Sequence, residues 1–200
     1  LMVERFMALG LPADGELEKP YHLPQLKADE ERAVELRGQH QLAAEGITIL
    51  CPGAEFGPAK RWPVKHFAAL ARHEVHVGRE VWLIGSPAEV AVCRDIEQQV
   101  PRGLVNLAGR TSLLDALDLI SLAGRVICND SGLMHVAAAL GRKVIAVFGS
   151  TSPEFTPPLG VTAQVVRLDL ACSPCFERVC PLGHLRCLEE LQPEQVIEVL

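Results

Sequence analysis

The sequence predicts an α/β protein, a Rossmann-like parallel sheet with helices on both faces. Three observations carry that expectation. From residue 47 onward, short apolar runs alternate with helical segments, the pattern of a parallel sheet covered on both sides. The stretch 126–150, VICNDSGLMHVAAALGRKVIAVFGS, reads as strand, tight turn, Ala-rich helix and strand, which is a βαβ unit. The loops that follow the strands carry Gly, Pro and basic residues, and open α/β sheets bind ligands at that edge.

Taken in order, Leu1–Phe6 opens in what reads as mid-helix, which predicts a piece of a longer protein. Residues 10–28 are rich in Pro and Gly and read as a linker. Residues 1–28 are therefore assigned to the end of a preceding domain and its link, and residues 29–200 to one α/β domain. Ala28–Ala44 is charged and predicts an exposed helix, with Asp29, Glu30 and Glu31 in its first turn, as the helix dipole favours. Ile47–Leu50 predicts a strand, Val64–Arg72 a helix, Val81–Ile84 a strand and Pro87–Gln99 a helix. A short strand follows near Val105–Leu107, then a helix over Leu113–Leu122. The βαβ unit places strands at Val126–Cys128 and Val144–Phe148, with a helix between them reaching about Leu140. A last strand is expected near Val165–Leu168, and Pro193–Leu200 begins a final helix.

Composition narrows the function classes. A hydrophobic share of 48% supplies a core, and 19 basic against 25 acidic residues give a net charge of −6. That balance argues against a nucleic-acid-binding surface. No apolar stretch approaches the roughly 20 residues that cross a bilayer, and no signal peptide is visible. Of the seven Cys, Cys51, Cys93 and Cys128 fall in predicted elements, where Cys acts as a small buried apolar residue. This usage predicts a reducing, cytoplasmic location.

The richest turn is Asn129-Asp130-Ser131-Gly132. Its first three side chains can cap the following helix, and Gly132 lets a ligand approach the backbone. Free N–H groups and a positive dipole end would then face outward, which suits a phosphate. His135, one helical turn after Ser131, shares its face. A lone His on an Ala-rich helix is usually a core residue, but the polar turn beneath favours ligand contact. A carboxylate repels a phosphate, so Asp130 is expected to cap, to orient a neighbour or to bind sugar hydroxyls.

The first strand runs into Pro52–Pro63, whose two Gly and three Pro in twelve residues fix a loop. Lys60 and Arg61 bring two cations to it, placed to meet a phosphate at the neighbouring helix start. The second strand ends at Gly85-Ser86-Pro87, and Glu89 follows. An acidic residue there can accept from ribose hydroxyls, although an exposed first-turn Glu is the commoner case. Neither GxGxxG nor GxxxxGK[ST] is present. In Gly109-Arg110-Thr111-Ser112, Thr111 or Ser112 should cap the next helix, and Arg110 either reaches a phosphate or lies in solvent.

Four segments in this order, GAEFGPAKRWP, NLAGRTSLLDALDLI, NDSGLMHVAAALGRKVIAVFGSTSPEFTPPL and CSPCFERVCPLGHLRCL, resemble the ADP-heptose:lipopolysaccharide heptosyltransferases of glycosyltransferase family 9. The resemblance covers residues 46–200. It implies a GT-B enzyme with two Rossmann-like domains across a cleft, of which this chain is the C-terminal, donor-binding half. It implies inverting transfer of heptose from ADP-heptose to the lipopolysaccharide inner core. The catalytic Asp base belongs to the family's N-terminal domain, so no catalytic residue is assigned here, and this chain alone is expected to be inactive. Carried over by motif, Lys60 would hold the diphosphate, and Ser131, Gly132 and Leu133 would donate to it. His135 would sit beside the same group, Asp130 would be the sugar-side carboxylate and Glu89 would contact the adenosine ribose. Arg61, Arg110 and Thr111 are further candidate phosphate contacts. The implied partners are ADP-heptose and a lipid A–core acceptor at the cytoplasmic face of the inner membrane. No cofactor is implied, and a part for Mg²⁺ is left open.

Two other classes compete. One is a GT-B sugar-nucleotide 2-epimerase, which would take a UDP-sugar. The other is a metal-binding module built on Cys172-x2-Cys175-x4-Cys180-x6-Cys187 with His184 among them. Four Cys so close resemble a zinc or iron–sulfur loop. Only one CxxC is present, however, so a structural thiol cluster or an oxidation-sensitive loop near the donor pocket is favoured over metal.

Overall fold

In the computed structural model, residues 1–200 are described except 13, 18, 20 and 21, so that part of the 10–28 linker reading lies outside the described residues. The elements run α1 (Met2–Ala8), α2 (Glu30–Gln39), β1 (Ile47–Cys51), α3 (Val64–His76), β2 (Glu80–Leu83), α4 (Val90–Glu97) and β3 (Leu104–Asn106). They continue with α5 (Leu113–Ser121), β4 (Arg125–Asn129), α6 (Gly132–Ala139), β5 (Lys143–Val147), β6 (Ala163–Val166), α7 (Arg186–Glu189) and α8 (Pro193–Ile197).

The six strands form one sheet in the order β3-β2-β1-β4-β5-β6. Every pairing is parallel. Apolar residues on both strand faces explain why: β1 is buried at every position, with Ile47, Ile49 and Cys51 on one side and Leu50 on the other. One layer packs Phe67 and Leu70 of α3, Cys93 and Ile96 of α4 and Val196 of α8 against Leu50, Leu83, Ile127 and Val147. The opposite layer packs Leu36 of α2, Leu119 and Ile120 of α5 and Met134 of α6 against Ile49, Trp82, Val126 and Ala146. Each such aliphatic residue, fully buried, contributes about 1.5–3 kcal/mol relative to exposure.

Several boundaries differ from the sequence reading for local reasons. Helix α2 is shorter than 28–44. Asp29 caps it by accepting from the Arg32 N–H at 3.1 Å, and beyond its end Gln41 turns the chain at φ 55°. The 87–99 segment divides. Pro87–Glu89 is a single 3-10 turn because the Glu89 carboxylate folds back to accept the Ser86 N–H at 2.6 Å, and α4 starts after it. Ser112 is the cap of α5: it accepts from the Asp115 N–H at 3.1 Å, and Asp115 accepts from the Ser112 N–H at 2.8 Å.

At the N-terminal end of the strands lies a buried ion cluster. The Glu74 carboxylate is fully enclosed, accepts from the Thr48 hydroxyl and pairs with Arg79 at 3.5 Å and Arg125 at 3.6 Å. Arg79 also donates to the Ile47 carbonyl at 2.8 Å. Buried carboxylates persist only when so paired and hydrogen-bonded.

Candidate functional site

Strands β1 and β4 are neighbours, yet the chain leaves them towards opposite sides of the sheet. Their C-terminal ends therefore flank the crevice where parallel sheets of this order hold ligands. Asn129, buried at the end of β4, ties the two sides together. Its Nδ2 donates to the Pro52 carbonyl at 2.7 Å, and its Oδ1 accepts the Trp62 N–H at 3.0 Å. One side chain thus holds both ends of the loop that carries Lys60. The sequence reading had given Asn129 a capping role. The structure corrects this, because its carboxamide is fully engaged with the β1 loop.

The start of α6 is open. Ser131 is its N-cap residue, at φ −150° and ψ 173°, but its side chain makes no cap bond. Asp130 does not cap either, since its carboxylate is drawn to Lys60 and Thr151. Among the described residues the amides of Ser131, Gly132 and Leu133 have no acceptor, and beside Gly132 the space is open. Uncapped amides at a helix start are donors to an anion, reinforced by the dipole.

Two hollows meet at these amides. The larger, of about 940 Å³, is lined by Gly53, Arg61, Ile84, Glu89, Thr111, Leu113, Ala116, Leu133 and Val136, with Glu55, Ser131 and Gly132 at one side. The smaller, of about 270 Å³, is lined by Phe56, Lys60, Asp130, His135 and Thr156, again with Glu55, Ser131 and Gly132. A mainly apolar chamber thus opens through a row of backbone donors onto a charged one.

In the charged chamber the Lys60 ammonium lies 2.6 Å from Asp130 Oδ2, with both side chains largely buried. The Thr151 hydroxyl donates to the same oxygen at 2.5 Å. Lys60 also stands 4.9 Å from the centroid of the Phe56 ring. Partial burial lowers the His135 pKa below the ordinary imidazole value; Asp130 pulls it up and Lys60 pushes it down.

Most of the residues singled out in the sequence come together here: Lys60, Arg61, Glu89, Thr111, Asp130, Ser131, Gly132, Leu133 and His135 line one hollow or the other. Arg110 does not. Its guanidinium turns away to His40 Nδ1 at 3.4 Å and the Asn106 carbonyl at 3.5 Å. Glu89 is more than a first-turn acid, because its carboxylate is folded inward against Gly53 and Gly85. Sequence reasoning missed Glu55, Phe56, Leu113, Thr151 and Thr156. The first two lie in the same loop as Lys60 and were within reach. Thr151 and Thr156 stand past β5, where Thr-rich loops carry no distinctive signal.

The four Cys from 172 to 187 are free, with Cys187 buried and the other three half-buried. Burial raises the Cys187 thiol, whereas backbone amides, that of Leu185 foremost, lower that of Cys180. Among the described residues no three His, Cys, Asp or Glu side chains group closely enough to hold a metal ion. What the segment visibly does is buttress the site. The Arg178 carbonyl accepts the Ala59 N–H at 3.1 Å, the Phe176 N–H reaches the Ser150 carbonyl at 2.6 Å, and the Ser173 hydroxyl donates to the Gly149 carbonyl at 2.7 Å.

A six-stranded parallel sheet with uncapped amides at a helix start beside its switch point defines the class of Rossmann-like α/β domains. Comparison with known proteins narrows the class. Residues 1–186 match the model of glycosyltransferase family 9 (heptosyltransferase), and the chain belongs to that family. It is 40% identical over 212 residues to lipopolysaccharide heptosyltransferase 2 of Salmonella typhimurium, with 100% of this chain and 60% of the relative covered. It is 43% identical over 180 residues to lipooligosaccharide heptosyltransferase 2 of Haemophilus influenzae, covering 84% of this chain and 52% of the relative. Among solved structures, E. coli ADP-heptose LPS heptosyltransferase II superposes with a TM-score of 0.86 at 38% identity, over 100% of this chain and 60% of that one. The chain therefore spans between 52% and 60% of the length of these relatives. Among the described residues no helix is long and apolar enough to cross a membrane.

Proposed function

We propose that this chain is the donor-binding part of a heptosyltransferase that moves heptose from ADP-heptose to the inner core of lipopolysaccharide. The row of free amides at Ser131, Gly132 and Leu133, set between an apolar hollow and a charged one, carries this reading. The nucleoside occupies the larger hollow, its ribose hydroxyls donating to Glu89. The diphosphate lies across the α6 amides and meets Lys60. The heptose enters the smaller hollow, with Asp130 accepting from its hydroxyls and His135 beside the phosphate. The similarity to E. coli ADP-heptose LPS heptosyltransferase II supports the choice of base and sugar.

In the transfer, an acceptor hydroxyl attacks the anomeric carbon on the face opposite the diphosphate, and the bond to the β-phosphate oxygen breaks. The hydroxyl proton goes to the Asp base that the family resemblance assigns to an N-terminal domain, and ADP departs with the bonding pair. Negative charge grows on that phosphate oxygen, where preoriented amides and the Lys60 ammonium stabilise it. Loss of one such donor costs roughly 2.7–4 kcal/mol in other enzymes. The acceptor, a lipid A–core intermediate at a membrane surface, approaches from the open side of the smaller hollow.

Calorimetric titration of the chain with ADP, UDP and zinc tests the reading. Saturable binding of ADP with at least tenfold preference over UDP is expected. Equal affinity for both nucleotides, or zinc binding without nucleotide binding, would overturn it.

A further inference from the structure

Asp130 Oδ2 carries two donors, the Lys60 ammonium at 2.6 Å and the Thr151 hydroxyl at 2.5 Å, while Oδ1 has no partner among the described residues. The two donors differ in what a ligand does to them. Lys60 lines the smaller hollow together with Ser131 and Gly132, so a diphosphate arriving at those amides competes with Asp130 for it. Thr151 has no such competitor. Its turn follows β5 and is wedged firmly: the Ser150 N–H donates to the Ala59 carbonyl at 3.2 Å, and the Ser150 carbonyl accepts the Phe176 N–H at 2.6 Å. A Cβ on Gly149 would lie 2.7 Å from Leu188 Cγ and 2.9 Å from the Ala59 carbonyl oxygen, so the turn admits no side chain there and no sideways shift.

We infer that Thr151 is a positioning residue for the transferred sugar. It holds the Asp130 carboxylate when Lys60 turns to the diphosphate, and so keeps Oδ1 aimed into the smaller hollow as acceptor for sugar hydroxyls. Without the Thr151 hydroxyl the carboxylate would be free to rotate once Lys60 leaves it, and the sugar would lose a fixed acceptor. A hydrogen bond to an ionised group is strong enough to fix such an orientation. This inference rests on the donor-binding reading given above and adds a residue to it.

The test is a pair of titrations, ADP and ADP-heptose, on the chain and on its Thr151→Val and Thr151→Ser variants. The expected result for Thr151→Val is an ADP affinity within twofold of the parent and an ADP-heptose affinity roughly tenfold weaker. Thr151→Ser restores ADP-heptose binding. In an Asp130→Ala background, Thr151→Val adds no further loss, since the carboxylate being positioned is already gone. Equal weakening of both ligands, failure of Ser to rescue, or additive losses in the double variant would each overturn the inference. If the parent chain binds ADP and Thr151→Val binds ADP-heptose normally, the inference alone falls. If the parent binds neither ligand, the donor-binding reading falls and takes the inference with it.

Discussion

A Cβ at Gly53 would lie 1.5 Å from Glu89 Oε1, so the carboxylate occupies the space that any other residue at 53 would fill. The two residues come from the loops after adjacent strands β1 and β2, and the contact seats Glu89 in the wall of the larger hollow. The obstructing atom is the tip of a flexible side chain, so Gly53→Ala should displace Glu89 and leave the backbone intact. ADP affinity is expected to drop in Gly53→Ala to the level of Glu89→Ala, with the double variant no worse than either. The melting temperature should move little, within the ~0.5 kcal/mol typical of substitutions that leave the core untouched. Additive losses in the double variant would disprove the shared mechanism.

Lys60 and Asp130 form a pair that is strained by removal of either member. Lys60→Met leaves a nearly buried carboxylate with one hydroxyl donor, and a loss of about 3 kcal/mol in unfolding free energy is expected. Adding Asp130→Asn should recover most of that stability without recovering ADP affinity, which falls roughly tenfold or more with Lys60 gone. Denaturant unfolding and titration on the parent, Lys60→Met and the double variant check both halves. Recovery of ADP binding along with stability would show that Lys60 acts only as a structural counter-ion.

The lowered His135 pKa gives a pH signature. A folded value below the ordinary imidazole value means that His135 contributes stability at and above neutrality. That contribution declines as pH drops below about 6.5 towards the folded value. A bound diphosphate favours the imidazolium, so ADP binding near pH 6 should take up protons and tighten as pH falls. Calorimetry in buffers of different ionisation enthalpy measures the uptake, which should vanish in His135→Asn. Unchanged proton uptake in that variant would remove His135 from the phosphate's surroundings.

Asn129→Ala removes the clamp on the Lys60 loop and strands the Pro52 carbonyl and the Trp62 N–H. Each buried group left without its partner costs about 1–3 kcal/mol. The expected phenotype is a lower melting temperature together with faster amide exchange across 53–62. Protection factors unchanged in that loop would argue that Trp62, whose indole donates to the Leu191 carbonyl at 2.9 Å, anchors it alone.

At the α5 cap, Asp115 is held down to about 2, chiefly by the Ser112 hydroxyl and amide, with Arg32 adding to the effect. A depressed carboxylate stabilises the fold above its unfolded value near 3.9 and loses that contribution as pH falls towards 2. Ser112→Ala should cost about 1 kcal/mol at neutral pH and flatten the acid limb of the stability profile. An acid limb identical to the parent's would exclude the cap as its source.

The parallel sheet was legible because both faces of its strands are apolar, and the βαβ unit at 126–150 showed where its binding edge lies. Ser131 and Gly132 were legible because they stand just past the end of β4, and Lys60 because the Gly- and Pro-rich loop after β1 carries it. Sequence could not tell which neighbour each polar side chain would choose. Asn129 reads as a cap, and Asp130 as a cap, an orienter or a sugar ligand, because such residues usually make caps at a helix start. Their actual partners, the Pro52–Trp62 loop and Lys60 with Thr151, are distant in the chain and are brought near only by strand order. Arg110, which the sequence leaves between a phosphate and solvent, turns to His40, and nothing local announces that the end of α2 places His40 within its reach.

Glu74, enclosed with Arg79 and Arg125 at the opposite end of the sheet, separates cohesion from recognition. Strands β1 and β4 are riveted at their beginnings through Thr48 and Arg125, separately from the Asn129 clamp at their ends. On the donor-binding proposal, exchanging the segments around Phe56, Leu113 and Thr156 would change which ligand the hollows accept, with the rivet left untouched.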